Sequence, residues 1–131
     1  MENKKPIVTT LCGSRRFSKA FIDADYHLTL AGHIVLSIGN AENELTEESK
    51  LNDLEKRKLK AFLDVLHFRK IDLSDEIFVL NVDGYIGEST EREIEYAKST
   101  GKKVRYLVMG KSQPQADRNM DSVYFPVNQK L

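Results

Sequence analysis

The sequence predicts one small α/β domain with a mainly parallel sheet. Three observations carry this expectation. Short β-branched, apolar runs alternate with segments of helical periodicity. Those runs are nearly continuous in apolar residues rather than alternating, as in strands covered on both faces. The length, 131 residues and 15.0 kDa with 40% hydrophobic residues, suits a single packed core and leaves no room for two.

Ile7 to Cys12 (Ile-Val-Thr-Thr-Leu-Cys) reads as a first buried strand that stops at Gly13. A short polar connection, Ser14 to Phe17, carries Arg15 and Arg16. Phe17, Phe21, Ala24, Leu28 and Ala31 then form one stripe of an amphipathic helix, with Gly32 beyond it as a stop. His33 to Ile38 is a second strand ending at Gly39-Asn40, and Asn40 to Glu48 is a polar, acidic loop.

Thr46, followed by Glu47 and Glu48, has the pattern of a helix start, and a helical stretch broken once is expected to about Leu73. Leu51, Leu54, Lys58, Phe62, Val65 and Arg69 follow one face of it, widened by Leu59, Leu63 and Leu66. Glu76 to Val82 is the clearest strand, and it opens into Asp83-Gly84-Tyr85-Ile86-Gly87-Glu88-Ser89-Thr90. A helix through about Ser99 follows, stopped by Gly101, and Lys103 to Val108 is the next strand. Ser122 to Val127 has the composition of a short edge strand or a docking tail.

Strands alternating with helices require crossover connections, hence a sheet covered on both faces. The expected architecture is a flavodoxin-like or Rossmann-like three-layer sandwich of four to five mainly parallel strands. One domain spans residues 1–131, with its core at about 7–108 and a tail at 109–131.

Charge and cysteine content narrow the function. Twenty Lys+Arg balance twenty Asp+Glu, which argues against a nucleic-acid polymer as partner, because neutralising many phosphates needs a basic excess. The one cysteine excludes an intramolecular disulfide and a Cys-rich zinc centre. His27 and His33 have no partner at ligand spacing, so no metal is expected, and no other cofactor is required. No apolar run approaches the ~18 residues that span a bilayer, and the polar start through Lys5-Pro6 shows no secretory pattern. A soluble cytoplasmic protein without a membrane partner is expected.

In a parallel sheet, ligands sit beyond the carboxyl ends of the strands, where strand order reverses. Two strand ends carry unusual loops, and these should face each other. In the first, Gly13 allows close backbone approach, Ser14 offers a hydroxyl, Arg15 and Arg16 offer forked donors, and a helix start follows; together they suit a phosphate or carboxylate. Taken alone, the same string is equally a Gly-Ser turn with two solvated arginines. In the second, from Asp83, Gly84 and Gly87 break the strand exit while Ser89 and Thr90 bring hydroxyls to a helix start. Thr90-Glu91-Arg92-Glu93 also has the form of a capping box, and on local pattern that role is the commoner one for Glu93. His67 and Cys12 read by default as core residues, while Tyr85 and Tyr96 either pack or line a base pocket.

Together Leu11-Cys12-Gly13-Ser14-Arg15, Asp72 to Val79, and Gly87-Glu88-Ser89-Thr90-Glu91-Arg92-Glu93-Ile94-Glu95-Tyr96-Ala97 with Gly101-Lys102 resemble the nucleoside 2-deoxyribosyltransferase-like proteins. That group includes the deoxynucleoside 5′-monophosphate N-glycosidases, and the resemblance spans roughly residues 7–108. It implies that Glu93 is the nucleophile that attacks the anomeric carbon, and that Gly13, Ser14 and Arg15 hold the sugar or its 5′-phosphate. It further implies a homodimer or larger assembly that completes the site. Where the family carries an Asp, eight residues before Asp75, this chain has His67, which can bond a sugar hydroxyl or accept a proton but is no carboxylate. The Gly84-x-x-Gly87-x-Ser89-Thr90-x-x-Glu93 pattern is similar, more weakly, to the lysine-decarboxylase-like phosphoribohydrolases.

The expected function is cleavage or transfer of the N-glycosidic bond of a nucleoside or nucleoside 5′-monophosphate. Glu93 would be catalytic, and Gly13, Ser14, Arg15, Arg16, His67, Asp83, Gly87, Ser89 and Thr90 would bind substrate. The alternative is a non-catalytic module that binds a nucleotide or nucleotide-derived signal with the same loops.

Overall fold

A computed structural model of the chain describes residues 4–39 and 47–108. The expected cap at Thr46, the tail 109–131 and its Ser122–Val127 segment lie outside the described residues. Within them the order is β1 (Val8–Cys12), α1 (Ser18–Leu30), β2 (Ile34–Leu36), α2 (Asp53–Asp72), β3 (Glu76–Val79), α3 (Glu88–Ser99) and β4 (Lys103–Tyr106). Each strand expected within the described residues is present but shorter at one or both ends, because pairing stops before the apolar run does.

The four described strands form one all-parallel sheet in the order β2-β1-β3-β4. Helices lie on both faces, giving the expected small flavodoxin-like three-layer arrangement. Alternate strand residues separate two cores. Leu11, Phe78, Leu80 and Leu107 meet Phe21, Ala24 and Leu28 of α1 on one face. Cys12, Ile77 and Val79 meet Ile71 of α2 and Ile94 and Ala97 of α3 on the other. Burial on both faces explains why β3 continues as an unbroken apolar run after Glu76.

The α1 stripe is as its spacing predicts, with Phe21, Ala24 and Leu28 buried. At Gly101 a φ of +79° follows the end of α3, a left-handed conformation that glycine adopts without strain. At Gly13 the requirement is space: a Cβ there would lie 3.2 Å from both Cβ and the carbonyl oxygen of Leu80.

Two helix expectations need correction. In α2 the inward face is Leu59, Leu63, His67 and Ile71, at successive four-residue steps, whereas Leu54, Phe62 and Val65 of the expected stripe are exposed. Apolar residues occupy both faces of this helix, so periodicity alone does not distinguish them. The expected break before α2 is present: a short 3-10 turn at Glu48–Lys50 precedes a capping box in which Asn52 accepts from the Glu55 amide and Glu55 accepts from the Asn52 amide. In α3, the Thr90–Glu93 capping box is absent. The helix begins three residues earlier, with Gly87 as its cap and no side-chain cap bond, so Thr90 lies inside the first turn and is buried. Glu93 is thereby released from the cap.

A polar network ties the sheet at its opposite end. Glu76 is buried and accepts from Thr9 at 2.7 Å and from Arg105 at 2.8 and 3.2 Å. Its carboxyl is held below the usual range by these donors and the Arg105 charge, which outweigh its burial. His33 is spent here, on Thr9 at 2.9 Å.

Candidate functional site

Strand β1 pairs with β2 on one side and β3 on the other, so the connections leaving β1 and β3 diverge to opposite faces of the sheet. Such a divergence leaves a crevice beyond the carboxyl ends. A cavity of about 990 Å³ occupies it. Gly13, Ser14 and Arg15 form one wall, Gly87, Ser89, Thr90 and Glu93 another, and the inward face of α2 brings His67. The two loops do face each other. Arg16 and Asp83 lie outside this lining: the Arg16 guanidinium stacks over Tyr85 at 4.3 Å, and Asp83 sits in a tight turn with φ +56°.

At the cavity floor three groups from three elements meet, His67 and Glu93 lining the cavity and Cys12 buried behind them. Cys12 ends β1, and its Sγ lies 3.4 Å from His67 Nε2 on α2. That nitrogen is 3.7 Å from Oε1 of Glu93 on α3. One ligand-type atom from each of the three falls within 4.8 Å of the others. Cys12 is wholly buried, and the His67 and Glu93 side chains are only 8% and 14% exposed.

Burial sets their protonation. It pushes the Cys12 thiol well up, with the neighbouring Glu93 charge adding to the effect. Burial lowers His67 to about 4, with Lys70 contributing, so the imidazole is neutral at pH 7. Burial raises Glu93 to about 7, opposed by a hydrogen bond from Cys12. The 3.7 Å His67–Glu93 approach is therefore a contact between a neutral ring and a carboxyl poised near neutrality, not a salt bridge. Such a poise suits a group that must exchange protons or attack at physiological pH.

The rim is suited to anions. α1 starts with no side-chain cap bond and no acid in its first turn, so its positive end is not neutralised from within the helix. Arg15, half exposed, reaches Glu48 at 3.4 and 3.5 Å and the Gly39 carbonyl at 3.4 Å, weak bonds that a phosphate would readily replace. Across the cavity Ser89 Oγ accepts from Arg92 at 3.3 Å and Lys60 at 3.5 Å.

Sequence reasoning missed the α2 contribution. Lys56, Lys60, Asp64 and Lys70 all reach the cavity, with Lys60 paired to Asp64 at 3.0 Å. The four-residue steps of Leu59, Leu63, His67 and Ile71 carry the signal, since they place His67 inward. Cys12 is a core residue, as its place at a strand end suggests, but it also completes the polar cluster. Tyr85 lines the cavity; Tyr96 does not, and bonds instead to Asp72 and Arg69 on α2.

No family model and no curated protein matches the chain.

Proposed function

We propose that this protein cleaves or transfers the N-glycosidic bond of a nucleoside or nucleoside 5′-monophosphate, with Glu93 as nucleophile. The observation that carries the reading is the Glu93 carboxyl: buried, poised near neutrality, and set in the cavity wall opposite Gly13-Ser14-Arg15. The resemblance to nucleoside 2-deoxyribosyltransferase-like proteins points to the same residue as the attacking acid.

In this reading Arg15, Ser14 and the first amides of α1 hold the phosphate, with Gly87, Ser89 and Thr90 toward the sugar. A Glu93 oxygen bonds to the anomeric carbon as the carbon–nitrogen bond breaks. The electron pair leaves on the base, which is protonated from water. Water, or a second base, then displaces the carboxylate and regenerates the enzyme. Excluding water from the floor strengthens attraction between the carboxylate and the oxocarbenium-like centre.

Release of free base from a panel of nucleosides and nucleoside monophosphates, followed by chromatography, tests the reading. Binding of a nucleotide without base release from any of them would favour the non-catalytic nucleotide-binding module, a reading supported by the contact of Glu93 with His67. A homodimer or larger assembly accompanies either reading, supported by exposed Leu54, Phe62 and Val65 on α2. A cytoplasmic location is also proposed, in keeping with the free thiol of Cys12. Among the described residues no helix is long and apolar enough to cross a membrane.

A further inference from the structure

We propose that Cys12, His67 and Glu93 bind one transition-metal cation of the zinc type, with its fourth coordination position open to the cavity. The separations fit. Sγ to Nε2 is 3.4 Å and Nε2 to Oε1 is 3.7 Å, with all three atoms within 4.8 Å. Tetrahedral bonds of about 2.3 Å to sulfur and about 2.0–2.2 Å to nitrogen and oxygen place ligand atoms about 3.3–3.6 Å apart. The Cys12–His67 and His67–Glu93 separations are already close to these values, with Cys12 and Glu93 within 4.8 Å, and the ligands come from three packed elements, β1, α2 and α3.

Charge and ligand chemistry agree with the geometry. A dication with one thiolate, one carboxylate and a neutral imidazole is uncharged overall, the state that a buried floor accepts best. On binding, the thiol proton and any carboxyl proton leave to solvent. Sulfur and imidazole select zinc-type ions over magnesium and calcium, which take oxygen ligands. Three protein ligands with one position left open is the pattern of accessible rather than closed structural zinc sites. The opening faces the cavity because His67 and Glu93 line it. Resting on the function proposed above, one consequence follows: a bound cation engages the Glu93 carboxylate and suppresses base release.

The test is titration of the full chain, stripped with a chelator, with Co²⁺ and then Zn²⁺. One Co²⁺ per chain is expected, with a sulfur-to-cobalt charge-transfer band and intense four-coordinate visible bands that Zn²⁺ abolishes. The chain has a single cysteine, so that band assigns Cys12 by itself. Cys12→Ser should remove the band. His67→Gln or Glu93→Gln should weaken binding by ~100-fold or more, at or above the loss from changing a residue that merely orients a ligand. Folding of each variant is checked by circular dichroism; should Cys12→Ser fail to fold, the wild-type spectrum and Glu93→Gln decide. No cobalt bound, or cobalt bound without the sulfur band, overturns the site. The band together with unimpaired base release upholds the site and overturns Glu93 as nucleophile. Base release that depends on Glu93 without the band leaves the function standing and overturns the metal.

Discussion

The Cys12 sulfur lies 3.4 Å from Nε2 of His67, joining the end of β1 to the inward face of α2 beneath the cavity. Neither group is charged at neutral pH, because burial raises the thiol and lowers the imidazole. The floor therefore holds its protons in a fixed order: thiol protonated, ring neutral, and Glu93 titrating near pH 7. That order gives Glu93 its chemical range.

Glu93→Gln keeps the shape of the side chain and removes the charge needed for attack. Base release should fall by several orders of magnitude, at least about 4 kcal/mol at 1.36 kcal/mol per decade. Nucleotide affinity should change little. In the wild type, kcat/KM should rise with pH through about 7, where the attacking carboxylate ionises. A Glu93→Gln protein that releases base at the wild-type rate would remove the nucleophile.

Arg15→Ala should weaken a nucleoside monophosphate roughly ten-fold or more, since a charged hydrogen bond contributes about 1.5–3 kcal/mol. The corresponding nucleoside should be much less affected. Thermal stability should hardly move, because Arg15 is half exposed and its present bonds are 3.4 Å or longer. Calorimetric titration of both ligands checks this, and equal losses would remove the phosphate from Arg15.

Phe62 is 62% exposed on the outer face of α2, beside exposed Val65. If that face meets a second copy, Phe62→Glu should convert a dimer to a monomer without loss of secondary structure. Light scattering at micromolar concentration reads the mass directly. A wild-type monomer counts against the interface.

The fold was legible because β1 and β3 are covered on both faces. An apolar run as short as Ile77-Phe78-Val79-Leu80 fits little besides a strand buried twice over. The crevice followed from the two glycine-containing strand ends. The orientation of α2 did not follow, since Leu54, Phe62 and Val65 make as convincing a stripe as Leu59, Leu63 and Ile71. Only the sheet beneath decides between them. The same ambiguity concealed Asp64 and Lys60. The Glu93 environment was hidden by a different cause. Thr90 and Glu93 have capping-box spacing, but the chain enters α3 through Gly87, and this moves both residues inward. Capping patterns give a spacing; the helix start is set by where β3 delivers the chain.

The last prediction uses the opposed shifts of His67 and Glu93 in metal-free buffer. Glu93 has a folded value raised from 4.5 to about 7, so the folded state retains a proton that the unfolded chain loses. His67 has a folded value lowered from 6.5 to about 4, so the folded state lacks a proton that the unfolded chain keeps. Between pH 4.5 and 6.5 the two differences cancel, and this pair adds no slope to stability. Removing either partner should expose the other. Glu93→Gln lacks the Glu93 difference, so its stability relative to wild type should fall as pH drops from about 7 toward 4.5. His67→Gln lacks the His67 difference, so its stability relative to wild type should fall as pH rises from about 4 toward 6.5. Each slope should approach about 1.4 kcal/mol per pH unit, with opposite signs. Urea denaturation at several pH values measures both, and the readout is the slope, so a general loss of stability in either variant does not obscure it. Parallel curves for the two variants would show that the floor does not hold its protons in this order.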